Sequence, residues 1–102
     1  MAKKTITVKM DKERHLRFGM NSFIELEKEL GKPVTELGED ISMEDIRTMF
    51  YVGLKWESPK ITPFEVGELM DEALEENDFQ YLVEKITEAI NGGLGATALP
   101  NK

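Results

Sequence analysis

"RTMFYVGLKW", Arg47 to Trp56, is the stretch on which the fold turns. Six consecutive residues, Met49 to Leu54, are apolar or glycine, and on a helix of 3.6 residues per turn they face every direction. Such a helix has no single greasy side. Wound at about 100° per residue, Met43, Ile46, Phe50, Gly53 and Leu54 gather within an arc of roughly 100°, the width of an ordinary core stripe. Met49, Val52 and Trp56 cluster on an adjoining arc, and Tyr51 stands on the far side. A helix apolar over so much of its circumference is either central to its own fold or covered by a partner.

Outward from this stretch the chain is punctuated by helix signals. Ser42, with Asp45 three residues on, opens the helix, and Ser58-Pro59 breaks it, so the expected span is 43–56. Thr62-Pro63-Phe64-Glu65 combines an N-cap, a proline at the first helical position and an acidic third residue, predicting a helix over 63–75. Asn77 or Asp78 caps another over 78–91, where Phe79, Leu82, Val83, Ile86, Ala89 and Ile90 recur at helical spacing until Gly92 and Gly93. Residues 93–102, GGLGATALPNK less its first glycine, have little to bury and are expected to form a flexible tail.

Toward the N-terminus, Ser22-Phe-Ile-Glu25 has the form of a capping box and Gly31 before Lys32-Pro33 is a stop, giving a helix over about 22–30. Residues 33–41 read as a loop anchored by Val34, Leu37 and Ile41. Before it, Ile6, Val8 and Met10 alternate with Thr5, Thr7 and Lys9, and Leu16 and Phe18 alternate with His15 and Arg17. With Asp11, Lys12 and Glu13 as the turn, this predicts a β-hairpin over 4–18. The expected architecture is one α+β domain over residues 1–92, a hairpin followed by a bundle of about four helices.

With 102 residues, 40% hydrophobic and 32% charged, the composition is that of a globular domain with one core. No apolar run approaches the roughly 20 residues that span a bilayer, and the opening MAKKTITVKM has no apolar leader core, so a cytoplasmic protein with no membrane partner is expected. The absence of cysteine removes disulfides and thiolate metal sites. A net charge of -7 argues against nucleic acid as a partner. That charge is unevenly spread: residues 1–17 hold six basic residues against Asp11 and Glu13, while the other 85 hold seven basic and 18 acidic. Lysines on a two-stranded unit guard its edges, and opposite ends of neighbouring copies would also attract.

Nothing in the sequence has the form of a catalytic or cofactor site. The single histidine, His15, sits on the polar face of the hairpin beside Arg14 and Arg17, with no nucleophile placed by any motif. The carboxylates of Glu25, Glu27 and Glu29, and of Asp71, Glu72, Glu75 and Glu76, have the spacing of solvated helix faces and not of a calcium loop. The glycines near residue 93 follow a helix instead of joining a strand to one, which excludes the usual phosphate cradle. A non-enzymatic binding protein is therefore expected. Met49, Tyr51, Val52 and Trp56 are the candidate partner-binding residues, because Trp, Tyr and Met are enriched where proteins meet.

The order of these features resembles the tail assembly chaperones of long-tailed bacteriophages and the related proteins of gene transfer agents and prophages. The resemblance covers roughly residues 4–92. It rests on Phe18-Gly19 before the Glu-rich helix with Leu26-Glu27, on Tyr51-x-Gly53-Leu54 closing the second helix, and on the start of the third at Thr62 to Val66. It implies a protein of the host bacterial cytoplasm that binds the tape measure protein, helps recruit the tail tube protein, self-associates into a ring or spiral, and is absent from the finished tail. The alternatives are a small head–tail connector or tail completion protein that stays in the virion, and an acidic mimic of DNA phosphates.

Overall fold

The computed structural model describes residues 5–34 and 41–95. Strand β1 (Ile6–Lys9) pairs antiparallel with β2 (Glu13–Leu16), Ile6 opposite Leu16 and Thr7 opposite His15. The alternation read in the sequence places Val8 and Leu16 on the inner face, fully buried, and Thr7 outside. The turn is held by Asp11, whose two carboxylate oxygens each accept from the Arg14 guanidinium at 2.9 Å. That fork lowers the Asp11 pKa and raises that of Arg14. The first expected hairpin residue, Lys4, lies outside the described residues.

Four helices follow: α1 (Met20–Leu30), α2 (Met43–Leu54), α3 (Pro63–Ala73) and α4 (Phe79–Leu94). The α+β hairpin-and-bundle arrangement is thus the observed one. At α2, Ser42 Oγ accepts from the Asp45 N–H at 3.0 Å and Asp45 Oδ2 accepts from the Ser42 N–H at 3.3 Å. The Thr62–Glu65 pair does the same for α3, with Pro63 at the first position. Of the two candidates for the last cap, Asp78 holds the Tyr81 N–H at 3.1 Å, while Asn77 turns back and donates to the Ala73 carbonyl at 3.3 Å.

Helix α2 ends at Leu54 where 56 was expected, α3 at Ala73 where 75 was expected, and the paired strands stop at Leu16, with Glu13 in β2 and not in the turn. Two further boundaries, at α1 and α4, change the packing. Helix α1 begins at Met20, with Gly19 as an N-cap that contributes no side chain, so Ser22 and Glu25 lie inside the helix and form no capping box. The earlier start brings Phe23 against Phe18, ring centroids 5.4 Å apart, and leaves Glu25 facing Lys55, with which it forms an ion pair that raises the Lys55 pKa. Helix α4 does not end at Gly92 and Gly93 but continues to Leu94 and closes on Gly95, in the left-handed conformation at φ 74°. The part of the expected tail at 93–95 is therefore helix and cap; 96–102 lie outside the described residues, as does the loop anchor Leu37.

Helix α2 touches α1, α3, α4 and β2. Its Met49, Phe50, Val52, Gly53 and Leu54 are all buried. Of the two explanations for its broad apolar surface, the central position accounts for most of it. Hairpin and helices meet around Phe18. Gly53 in α2 approaches so closely that a Cβ there would lie 2.9 Å from Leu16 Cδ2 and 2.9 Å from Phe18 Cε2. In α4 a Cβ on Gly93 would lie 2.8 Å from the Phe18 carbonyl oxygen. These two glycines set the helix spacing on either side of one aromatic ring. The Arg17 N–H donates to the Gly53 carbonyl at 3.0 Å, tying the end of the hairpin to α2.

Candidate docking surface

The burial of α2 divides the residues expected to meet a partner. Met49 and Val52, at 0% and 3% exposure, are core and offer no surface; six apolar residues in a row are absorbed because α2 has neighbours on nearly every side. Tyr51 is half-buried against the core, with Lys55 Nζ 5.2 Å from the centre of its ring. Trp56 lies beyond the end of α2 and remains 43% exposed. Its indole N–H donates to the His15 carbonyl at 2.9 Å and Arg17 stands 5.1 Å from the ring. The four residues therefore do not form one surface. Trp56 belongs to a clasp between the hairpin and the turn after α2, completed by Glu57, which accepts from the His15 N–H at 3.1 Å and contacts His15 Nδ1 at 2.8 Å. Burial raises the pKa of Glu57, and the His15 hydrogen bonds outweigh that and bring it below its ordinary value.

Uncovered apolar surface remains on α1, at Met20 and Ile24, and on the flank of α2 that meets α3. A groove of about 440 Å³ opens there. From α2 it takes Met43, Glu44 and Arg47; from α3 Gly67, Met70, Asp71 and Leu74; Phe79 at the start of α4 closes one end. Met43 was expected in the core stripe but is 69% exposed, because it sits in the first turn of α2 past the reach of the packing that buries Ile46 and Phe50. Leu74 is 39% exposed and Phe64, on the same stripe of α3 two turns and more before it, 70%. The groove also holds a polar anomaly. Arg47 Nε is buried and meets no hydrogen-bond partner among the described residues. Helix α3 approaches the Arg47 stem through Gly67, where a Cβ would lie 3.6 Å from Arg47 Cδ.

None of these groove residues was among the four candidate partner-binding residues, Met49, Tyr51, Val52 and Trp56. The available signal was the spacing of Phe64, Gly67, Asp71 and Leu74 in α3, which places two large apolar side chains and a helix-interior glycine on one stripe.

A larger hollow, about 830 Å³, lies between the hairpin turn and α3 and includes Arg14, Ser58, Ile61, Glu65 and Leu69. Its lining is rich in charge: Arg14 is held by Asp11 and reaches Ser58 Oγ at 3.4 Å, Glu65 caps α3, and Lys60, Glu68 and Glu72 complete it. The smaller groove is the better docking candidate because its lining is the more apolar of the two. Among the described residues no group of three or more acidic or histidine side chains is placed to hold a metal ion, and no helix is long and apolar enough to cross a membrane.

Compared with family models, curated proteins and solved structures, the chain finds no match in any of the three.

Proposed function

We propose that this protein is a non-enzymatic tail assembly chaperone of a phage or prophage, acting in the host cytoplasm. In this reading it covers apolar stripes of the tape measure protein, a long and largely helical chain, until tail tube protein assembles around it; copies of the chaperone associate in a ring or spiral along it. The observation that carries the reading is the exposed apolar surface of Met43 and Leu74 in the α2–α3 groove, with Phe64 exposed at the start of α3, on a domain of net charge -7. An acidic coat keeps such a domain dispersed, and an amphipathic helix laid in a groove is the matching mode of recognition. Methionines, two of which line the groove, adapt to varied apolar partners.

The test is co-expression with the tape measure protein encoded beside it. The chaperone should hold that protein soluble and co-purify with it, and mass spectrometry of purified particles should find no copies of this chain. Presence in the particle at fixed copy number would assign it instead to the head–tail connector or tail completion class. A tape measure protein equally soluble without it would remove the chaperone role.

A further inference from the structure

We infer that the outer edge of β1 binds an extended segment of another protein as a third strand, main chain to main chain at Thr7, and that this segment carries acidic side chains on the face it shares with Lys9. The hairpin carries this, not the α2–α3 groove, so it holds or fails apart from the tail-assembly reading.

In an antiparallel pair, opposed residues alternate between those that exchange both main-chain hydrogen bonds and those whose N–H and C=O point outward. The Met10 N–H donates to the Lys12 carbonyl at 2.9 Å, so the even-numbered residues of β1 pair inward, while Thr7 and Lys9, opposite His15 and Glu13, point outward. The two outer edges are then treated differently. On β2 the end of α2 closes the edge: the His15 N–H donates to Glu57 Oε1 at 3.1 Å, the His15 carbonyl accepts from the Trp56 indole at 2.9 Å, and the Arg17 N–H donates to the Gly53 carbonyl at 3.0 Å. On β1 the Lys9 N–H is taken by the Tyr81 hydroxyl at 3.0 Å, but Thr7 is exposed and its N–H and C=O meet no hydrogen-bond partner among the described residues. A donor and an acceptor pointing the same way from one strand residue are the pattern an added strand answers. Thr5, Ile6 and Val8 around it are residues that favour strand. Charge selects the occupant. Residues 1–17 hold six basic residues against two acidic, so a second copy laid edge to edge would set like charge against like, which is how edge lysines block self-pairing. The same charge attracts a foreign strand with Asp or Glu diagonal to Lys9, on the side where Thr5, Thr7 and Lys9 are all exposed. Glu13 lies opposite Lys9 on that side, but on β2, one strand further from the added segment.

A displayed library of short peptides, with Val or Ile fixed at alternate positions and the rest randomised, supplies the probe. Selection on the full wild-type chain should enrich Asp or Glu at the randomised positions. In the best synthetic peptide, N-methylation of single amides should act with a period of two: where the N–H faces β1 it should weaken binding by about tenfold or more, and one residue further on, where the N–H faces away, it should leave binding unchanged. Amide hydrogen exchange reads the protein side. The Thr7 amide should exchange freely in the protein alone and slow when the peptide is added, while the Arg14 amide, paired inward with Val8, stays protected throughout. Thr7→Pro removes the open donor at a place where an edge strand tolerates proline, and should keep the fold and weaken the peptide by about tenfold or more. Lys9→Glu should weaken it too and reduce the salt dependence of binding. The methylation pattern needs no protein variant, so it decides the matter even if Thr7→Pro folds poorly. No binder from the library, binders without an acidic preference, or methylation effects without the alternation would each overturn the inference. So would a Thr7 amide protected before any peptide is added. Protection that rises with protein concentration would give the edge to a second copy, and protection lost on deletion of residues 96–102 would give it to the chain's own C-terminal end.

Discussion

On one side of α2 the hairpin closes over Phe18 until two helices have room only for glycine; on the other, α3 leaves a trough wide enough to hold a partner. Both sides are apolar, and both present a glycine to the neighbouring element. At the closed side the glycines are obligatory, because a Cβ would strike the Phe18 main chain or the Phe18 and Leu16 side chains. At the open side a Cβ on Gly67 would lie 3.6 Å from Arg47 Cδ, an ordinary contact. The first joint is closed by packing, and the second is left open. Apolar surface alone therefore does not distinguish a core from a docking site; the distinction lies in whether a neighbouring element has come close enough to displace water.

The comparison breaks most visibly at Phe18. Phe18→Ala should cost about 3–5 kcal/mol in chemical denaturation, because it empties the space between α2, α4 and α1 at once. A loss below about 1 kcal/mol would mean the hairpin joint is not where the fold is held. Met49→Ala follows at about 2–5 kcal/mol, the cost of a cavity at a fully buried site. If Met49→Ala instead kept its stability and changed only partner binding, the assignment of Met49 to the core would be wrong.

Glycine substitutions sharpen the contrast, since one chemical change should act with opposite sign on the two sides of α2. Gly93→Ala gains about 1 kcal/mol of helix propensity but forces overlap with a main-chain oxygen that cannot rotate away, and overpacking of that kind costs about 1–3 kcal/mol. A net loss of stability is expected. Gly67→Ala meets no such obstacle and should gain up to about 1 kcal/mol. Equal shifts in the two denaturation midpoints would erase the distinction between closed and open joints.

Much of this division was beyond the reach of the sequence. Caps were legible because their chemistry is local: Ser42 with Asp45 and Thr62 with Glu65 satisfy each other within one turn, and the alternation at Ile6 to Met10 fixes which strand face is inward. Ser22 with Glu25 has the same spacing and failed, because Phe23 is drawn to Phe18, five residues earlier in the chain, and α1 starts ahead of Ser22. The docking surface was misplaced for a related reason. Periodicity tells which residues share an arc of α2 but not which neighbour covers that arc, so Met49 and Val52 looked like excess and Met43 like core. Arg47 carried no signal at all, since a buried Nε without a partner among the described residues is a fact about its surroundings.

The clasp at the end of α2 adds a smaller, pH-dependent effect. Glu57 binds its proton less readily in the folded chain than its ordinary value of 4.5 implies, so the folded state loses ground as acid is added. The contribution is full above the unfolded value and disappears as the pH falls through the lower folded one. Wild type should exceed Glu57→Gln in stability near neutral pH by about 0.2–1 kcal/mol, the scale of exposed pairs, and the difference should shrink as the pH falls below the ordinary value of 4.5. A difference that persisted unchanged in acid would mean that Glu57 acts through packing and not through its charge.

The smallest expected effect probes the open side most directly. Phe64, 70% exposed in the first turn of α3, touches little that folding buries, so Phe64→Ser should shift the unfolding free energy by no more than about 0.5 kcal/mol. The Thr62–Glu65 capping box beside it is built from other side chains and survives the change. In the tail-assembly reading the same substitution should also weaken co-purification with the tape measure protein. A stability loss above 1 kcal/mol would mean that the ring already has a partner within the domain. The apolar stripe would then end at Leu74, too short a track for successive turns of a bound helix.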